Sequence, residues 1–261
     1  MDRYNDTLAK LNQALTENPN DIRVLANRGE TYRLMGRYNE AVADFSRVID
    51  LEPNHAWAIA HRGAAYRGMK RQEAALTDLN AAIDLKPNYA WALIHRANIY
   101  TMMRHYEEAL ADVDKAIAID KNVMPHWPGE RGLLLTYLGR YAQAIECCEQ
   151  GLKENPDDFI TLYTLTVIKA RQNGLIEAQA DINKTRAAAQ AMLNTEERAL
   201  ALYRLAGLAA LEGQRDQALD YLQQAILLGE EPRGLAHHDL AWLDMRDVPR
   251  FQSLIGETTV T

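Results

Sequence analysis

The chain has 261 residues, of which 36 are acidic and 29 are basic, so its net charge is −7. This acidic balance argues against nucleic acid as a partner, because phosphate binding needs a basic surface. Apolar residues make up 48% of the chain and aromatic residues only 7%. That mixture argues against disorder and favours helices that pack closely on small side chains.

The amino-terminal residues contain no apolar stretch of the signal-peptide type, and no segment approaches the ~18 apolar residues of a membrane span. The two cysteines, Cys147 and Cys148, are adjacent and form no disulfide framework, which fits a reducing compartment. We therefore expect a cytoplasmic protein that has neither nucleic acid nor a membrane as its partner.

A repeat with a step of 34 residues dominates the first half of the chain. Two blocks recur at this step, one early and one late in each unit. The early block occupies 25–32, 59–66 and 93–100, and the late block occupies 41–45, 75–79 and 109–113. Three consecutive copies with identical spacing indicate a stack of similar structural units rather than an ordinary globular domain.

Each unit contains two helical patterns separated by a turn. In the first unit, Leu25, Gly29 and Tyr32 share one helix face, because spacings of four and three match a period of 3.6 residues. A second apolar face recurs over 39–51. Gly36 lies between the two patterns, where the turn needs a permissive backbone. The unit is therefore predicted to be a helix–turn–helix.

This pattern resembles the tetratricopeptide repeat, whose unit is a 34-residue helix–turn–helix. The first unit carries the resemblance on Gly29, Tyr32, Gly36, Tyr38, Ala41, Phe45 and Pro53. Weaker copies follow later in the chain. The resemblance implies an all-α, right-handed superhelical solenoid of antiparallel helix pairs.

We expect one solenoid domain over 1–261, with about six full repeats and an end piece on each side. The amino-terminal piece matches only the second helix of a unit, so either its first helix is absent or the chain was cut from a longer protein. The carboxy-terminal piece is similar to the capping helix that often follows bacterial arrays. The predicted boundaries are 1–20 for the half repeat, 22–55, 56–89, 90–123, 125–158, 159–194 and 199–232 for the repeats, and 235–256 for the cap.

The resemblance also implies that the first helices line a concave groove. Trp57 and His61 share one helix face, and Trp91 and His95 repeat the pair one unit later, so two aromatic pairs are expected side by side. Exposed tryptophans are typical anchors for partners, although they also fill gaps between neighbouring helices, and the sequence leaves both interpretations open. The predicted groove contacts are Arg23, Asn27, Trp57, His61, Trp91, His95, Asn98 and Glu130.

Some repeats of this family bind a carboxy-terminal carboxylate through a clamp of lysine, asparagine and arginine. The positions of the clamp lysine hold Ala26, Ala60 or Ile94 in this chain, which argues against that activity. A second periodic feature consists of arginines and aspartates at Arg28, Arg62, Arg96 and Arg131 and at Asp44, Asp78 and Asp112. The planar guanidinium suits a carboxylate, so we expect structural ion pairs between helices; the alternative is a basic stripe for an acidic partner.

Catalytic motifs are not apparent. His61 and His95 are one repeat apart, without cysteine or carboxylate at ligand spacing, and the chain has no glycine-rich phosphate loop or nucleophile elbow. Cys148 takes the place of Phe45 and is expected to be a small core residue. We therefore expect no enzyme, no metal and no cofactor.

The leading hypothesis is a protein–protein interaction scaffold that holds a peptide or partner protein in its concave groove. Three alternatives stay open. They are a regulatory or sensor module of a larger signalling or defence protein, an enzyme with an unrecognised site, and a self-associating module that forms a homodimer. The homodimer is expected because an absent first helix would leave the apolar residues Tyr4, Leu8 and Leu11 only partly covered.

Overall fold

The computed structural model describes residues 2–122, 127–229, 231–237 and 239–256. Throughout these ranges the secondary structure is helical and contains no β-strand. None of the helices found there is long and apolar enough to cross a lipid bilayer. The chain divides into two compact units, Met1–Pro125 (unit 1) and His126–Thr261 (unit 2). Residues 123–126, where the predicted third and fourth repeats meet, lie outside the described residues.

Unit 1 consists of one helix followed by three helix pairs. The single helix is α1 (Asp2–Glu17). The pairs are α2 (Ile22–Leu34) with α3 (Tyr38–Leu51), α4 (Ala56–Gly68) with α5 (Gln72–Leu85), and α6 (Ala90–Met102) with α7 (Tyr106–Ile119). The first helices α2, α4 and α6 contact one another more than the second helices do, which places the first helices on the inner side of unit 1.

Polar side chains fix where the first helices begin. Asp21 precedes α2 and accepts a hydrogen bond from the Val24 backbone N–H at 3.0 Å. His55 precedes α4, and its Nδ1 accepts from the Ala58 N–H at 3.2 Å. Each bond satisfies one of the backbone donors that the first turn of a helix leaves without a partner.

The two helices of a pair are packed closely because glycine faces a large side chain. A Cβ atom on Gly29 would lie 2.8 Å from the Phe45 ring, which is fully buried between α2 and α3. In the second pair, Gly63 faces Leu79 in the same way. The small residues of the repeat therefore mark the helix–helix contacts.

The turn inside each pair passes through left-handed backbone geometry. Gly36 has a φ of 74°, and the corresponding residues of the next two repeats are Lys70 and Arg104, with φ values of 60° and 63°. An L-residue with a side chain pays about 1 kcal/mol or more for this conformation. The permissive backbone expected at Gly36 is thus confirmed, and two repeats adopt it without glycine.

A Lys70→Gly substitution is therefore expected to raise the free energy of unfolding by about 0.5–1 kcal/mol, since relief of strain exceeds the added entropy of the unfolded chain. Urea unfolding followed by circular dichroism measures the change. The neighbouring Arg71 has a φ of −94°, so Arg71→Gly is the matched control and should destabilise the protein. A Lys70→Gly variant that is less stable than the parent would contradict the role of strain.

The predicted arginine–aspartate ion pairs are present in all three repeats of unit 1. Arg28 donates from Nε and Nη2 to the two carboxylate oxygens of Asp44, both at 2.7 Å. Arg62 forms the same fork with Asp78 at 2.8 Å, and Arg96 with Asp112 at 2.7 Å. These forks join the first helix of each pair to its second helix. The structural interpretation is therefore confirmed for Arg28, Arg62 and Arg96.

The third guanidinium nitrogen of each arginine reaches back to the preceding repeat. Nη1 of Arg28, Arg62 and Arg96 donates to Asn12, Ser46 and Asn80, each sixteen positions earlier in the chain. Asn12 belongs to α1, so α1 occupies the place that α3 and α5 take in later repeats. The residue sixteen positions after Arg131 is Cys147, so the fork with an aspartate does not continue there.

The side chains of α1 are covered to different extents. Tyr4 is 40% exposed and Leu11 is half-buried, as expected for a helix without its partner. Leu8, by contrast, is only 6% exposed, so its predicted partial exposure is wrong. The contact between α1 and α2 is sufficient to cover it.

Unit 2 contains three helix pairs and a carboxy-terminal cap. The pairs are α8 (Trp127–Tyr137) with α9 (Tyr141–Glu154), α10 (Phe159–Asn173) with α11 (Leu175–Ala191), and α12 (Arg198–Leu211) with α13 (Arg215–Leu228). A short 3₁₀ turn, Met192–Asn194, follows α11. The cap comprises α14 (Glu231–Ala236), the 3₁₀ segment Leu240–Met245 and α15 (Pro249–Ile255).

The core of unit 2 includes side chains from this cap. Trp242 and Phe251 are almost completely buried, with their ring centroids 5.0 Å apart and nearly parallel. They belong to one apolar cluster with residues of α10, α12 and α13. The cap thus covers an apolar face that the last helix pair would otherwise expose to water.

Candidate functional site

A cleft of about 450 Å³ opens on the inner side of unit 1, between the first turns of α2 and α4. It is lined by Ile22, Arg23, Ala26, Asn27, Glu52, His55 and Trp57. Three of the predicted groove contacts, Arg23, Asn27 and Trp57, therefore lie together. Arg23 and Asn27 are exposed, whereas Trp57 is half-buried and forms an apolar wall.

The loop between α3 and α4 supplies two further polar residues, Glu52 and His55. Because Nδ1 of His55 accepts the Ala58 N–H, the proton of the neutral ring lies on Nε2, which becomes a hydrogen-bond donor. The cleft therefore combines donors from Arg23, Asn27 and His55 with one carboxylate acceptor. Sequence analysis did not include Glu52 and His55 among the groove contacts. Their position in the loop that precedes Trp57 was the signal that could have identified them.

Behind the cleft, the two predicted Trp–His pairs form one continuous stack. The ring centroids of Trp57 and His61 are 3.8 Å apart, and those of His61 and Trp91 are 4.0 Å apart with an angle of 2° between the planes. His95 follows at 3.8 Å from Trp91, tilted by 44°. The imidazole of one repeat is thus held between the indoles of two repeats.

Polar contacts fix the stack at its centre. Glu30 accepts hydrogen bonds from Arg33 at 2.7 and 2.8 Å, and its Oε2 lies 2.8 Å from Nδ1 of His61. Burial alone would raise the pKa of Glu30, but the hydrogen bonds from Arg33 and His61 outweigh burial and lower that pKa to about 2. Since Glu30 is ionised, His61 donates from Nδ1 to it. The Arg33 guanidinium also lies 5.9 Å from the Trp91 ring centre, in cation–π geometry.

Both histidines of the stack are held in the neutral form. His61 is only 6% exposed, and burial lowers its pKa despite the opposing effect of Glu30. Burial, together with the charges of Arg67 and Arg33, lowers the pKa of His95 to about 3. Nδ1 of His95 is buried and has no hydrogen-bond partner among the described residues. These imidazoles therefore pack against the indoles as uncharged rings.

The stability of unit 1 is consequently expected to fall by about 1–2 kcal/mol between pH 7 and pH 5. The unfolded chain binds a proton on His95 near the ordinary pKa of 6.5, whereas the folded chain does so only near 3, so stability is complete above pH 6.5 and is lost as the pH falls. Glu30 does not contribute to this change, because its stabilisation is lost only below its ordinary pKa of 4.5. Urea unfolding at several pH values measures the slope.

His95→Gln should flatten this pH dependence, since the glutamine does not titrate. His105→Gln is the matched control, because the side chain of His105 is 49% exposed. Equal slopes for the parent and His95→Gln would show that burial of His95 does not cause the pH dependence.

Two further predicted contacts, Asn98 and Glu130, are not among the residues that line the cleft. Asn98 is half-buried on α6. Glu130 is half-buried on α8 in unit 2, where its charge helps to raise the pKa of Arg204 against the effect of burial. Of the clamp positions, Ala26 and Ala60 are buried and Ile94 is half-buried, so no lysine-like donor is found at any of them.

Other reactive residues are buried or dispersed. Cys148 is fully buried, as predicted, and burial raises the pKa of its thiol well above the ordinary value. Across the described parts of the chain, His, Cys, Asp and Glu residues form no group of three or more that could hold a metal ion.

Comparison with known proteins identifies the repeats. Two family models, both described as tetratricopeptide repeat, match residues 22–55 and 129–158 and residues 58–89, respectively. No curated protein matches the chain.

Solved structures agree with the family models. A tetratricopeptide repeat protein from Parabacteroides merdae is 19% identical, with a TM-score of 0.69 and 90% of each chain covered. YrrB, described as a TPR protein with an unusual peptide-binding site, is 16% identical, with a TM-score of 0.58 over 68% of this chain and 91% of its own. PilF of Pseudomonas aeruginosa is 17% identical, with a TM-score of 0.58 over 91% and 97%. The matched segments coincide with the helix pairs α2–α3, α4–α5 and α8–α9, which identifies the chain as a member of the tetratricopeptide repeat family.

Proposed function

We propose that this protein is a protein-interaction scaffold that acts by binding and not by catalysis, and that the inner side of unit 1 holds an extended peptide segment of a partner. The observation that carries the proposal is the cleft, where Arg23, Asn27 and Trp57 lie together with Glu52 and His55. YrrB has a peptide-binding site on the same architecture, which supports a peptide as ligand. The buried pair of free cysteines supports a cytoplasmic location.

The chemistry of the cleft favours a polar segment that carries one flat or apolar side chain. Arg23, Asn27 and His55 provide donors for backbone carbonyls or a carboxylate, and Glu52 provides an acceptor. The exposed part of Trp57 offers a rigid surface for stacking at low entropic cost. From there, Trp91 and Asn98 on α6 are the predicted contacts for the continuation of the ligand.

The histidines have a different role in this proposal. His61 is enclosed between the two indoles and His95 stacks against Trp91 alone, so both hold the tryptophan rings in position rather than contact the ligand. Of the predicted contacts in unit 1, Arg23, Asn27, Trp57, Trp91 and Asn98 are therefore proposed to bind directly.

A random peptide library displayed on phage and selected on the immobilised full chain provides ligands without knowledge of the natural partner. Trp57→Ala should weaken the selected peptides by about 2 kcal/mol, or roughly thirtyfold, because it removes an aromatic anchor. Arg23→Ala should weaken them by about 1 kcal/mol. Isothermal titration calorimetry measures both changes.

Arg71→Ala is the matched control for Arg23→Ala, since Arg71 is an exposed arginine at the start of the second helix α5. It should leave the affinity unchanged. The site assignment is wrong if the Trp57→Ala, Trp91→Ala double variant keeps its helical circular dichroism spectrum and still binds the selected peptides with parental affinity.

A further inference from the structure

In unit 2 the chain binds one of its own segments at positions that correspond to the predicted groove. Arg204 follows Leu202 by two residues, as Asn27 follows Leu25 and as His61 follows Ile59. Arg171 lies near the end of α10, the first helix of the preceding pair. Both arginines face the cap segment 239–245, which contacts α10 and α12, the first helices of two neighbouring pairs.

The first anchor of this segment is the carboxylate of Asp239. Its Oδ2 accepts hydrogen bonds from the hydroxyl groups of Tyr163 on α10, at 2.7 Å, and Tyr203 on α12, at 2.8 Å. Nη1 of Arg204 lies 3.8 Å from the same oxygen. Asp239, Arg204 and both tyrosines are buried, so this is a specific site for one carboxylate rather than a surface ion pair.

The second anchor is Arg171, which binds the backbone of the segment. Arg171 donates from Nε to the Leu240 carbonyl at 3.0 Å and from Nη2 to the Ala241 carbonyl at 3.1 Å. Its Nη1 binds the carboxylate of Asp244 at 2.6 Å. Recognition of two consecutive carbonyls does not depend on the side chains that follow, which is how a protein holds a peptide in a fixed register.

The third anchor is Trp242. Its indole is fully buried, and its N–H donates to the Tyr203 hydroxyl at 3.3 Å. The same tyrosine hydroxyl thus contacts both Asp239 and Trp242, which couples the carboxylate to the aromatic ring three residues later. Leu243, between the anchors, is 41% exposed and adds little to recognition.

From these contacts we propose that the first-helix side of unit 2 is a second peptide-binding site, specific for a segment with aspartate followed three residues later by tryptophan and two residues after that by aspartate. The chain fills this site in cis with Asp239, Trp242 and Asp244. A partner segment of the same chemistry competes with the cap, so the cap regulates access to the site. This inference concerns unit 2 and does not depend on the proposed function of unit 1.

Adding the segment as a separate peptide tests the proposal. The probe is a fluorescent synthetic peptide with the sequence of residues 237–256, added to the full chain that carries Asp239→Ala and Trp242→Ala. The variant is expected to bind the peptide about tenfold more tightly than the parent does, because its own cap is weakened while the site on α10 and α12 is intact. The peptide should also raise the melting temperature of the variant and leave that of the parent unchanged.

Two controls make the result specific. The same peptide with Asp239→Asn and Trp242→Ala should lose its affinity for the variant. Adding Arg171→Gln to the variant should weaken binding of the unmodified peptide, since Arg171 donates to the Leu240 and Ala241 carbonyls. Equal binding of both peptides, or a folded variant that binds neither, would overturn the proposal.

Hydrogen exchange on the parent chain tests access to the site even if the double variant does not fold. If the cap opens as a bound segment, the amides of 239–245 exchange faster than those of α12, without unfolding of the helix pairs. Identical protection of the segment and of α12 would show that the cap leaves only when unit 2 unfolds, and the regulated site would then be ruled out.

Discussion

Replacement of Trp242 with alanine is expected to lower the free energy of unfolding of unit 2 by about 3–5 kcal/mol. The indole is 0% exposed, stacks on Phe251 and donates to the Tyr203 hydroxyl. The variant loses the burial of a large ring and leaves a cavity at the junction of the cap with α10 and α12. Urea unfolding followed by circular dichroism should show this as a transition at lower denaturant concentration.

Leu243→Ala is the control for this substitution, because the neighbouring leucine is 41% exposed. Its expected effect is less than about 1 kcal/mol. If Trp242→Ala cost no more than Leu243→Ala, the cap would not be part of the core of unit 2, and the packing described for Trp242 and Phe251 would be incorrect.

Asp78→Ala is expected to destabilise unit 1 by about 3 kcal/mol. The carboxylate side chain is only 8% exposed, and it accepts both hydrogen bonds of the Arg62 fork. Hydrogen bonds to Asp78 raise the pKa of Arg62. The guanidinium stays charged even when Asp78 is removed, because the ordinary pKa of arginine is far above neutral. The variant therefore leaves a half-buried charge between α4 and α5 without its counter-ion.

Removal of both partners should cost less than removal of the aspartate alone. In the Arg62→Leu, Asp78→Ala double variant no charge is left uncompensated, so a double-mutant cycle with the two single variants should give a favourable coupling energy of about 2 kcal/mol. Asp84→Ala, at an exposed position of the same helix, is the control for loss of an acidic residue. Additive effects of the two single substitutions would mean that the Arg62–Asp78 ion pair does not stabilise the repeat.

The features that repeat along the chain are the ones that sequence analysis predicts best. The 34-residue step locates the helix pairs of unit 1, and Gly29 facing Phe45 marks the contact within the first pair. The arginine–aspartate pairs were predictable too, since a constant separation of sixteen residues places both partners at equivalent points in each repeat. A periodic sequence imposes the same local geometry on every repeat, so contacts within a repeat follow from the spacing of its residues.

The function of each side chain at the candidate site depends on contacts between neighbouring repeats, which spacing does not specify. The sequence predicts Trp57 and His61 as a pair. Whether this pair stacks on Trp91 and His95 depends on the distance between α4 and α6. The hydrogen bond from His61 to Glu30 joins two repeats and requires a particular rotamer of each residue. Burial then suppresses protonation of the imidazoles, an effect that a linear pattern does not reveal.

The cap shows most clearly which contacts repeat spacing predicts and which only the folded structure reveals. Its sequence resembles the closing segment of a repeat array, and this was enough to predict that an apolar end would be covered. The attachment of Asp239 to Tyr163 and Tyr203 joins residues that are 76 and 36 positions apart and follow no period. Repeat spacing thus determines the helices and their pairing, because these depend on neighbours in the chain. The cleft, the stack and the occupied site in unit 2 arise only when distant side chains meet in the folded protein and exclude water.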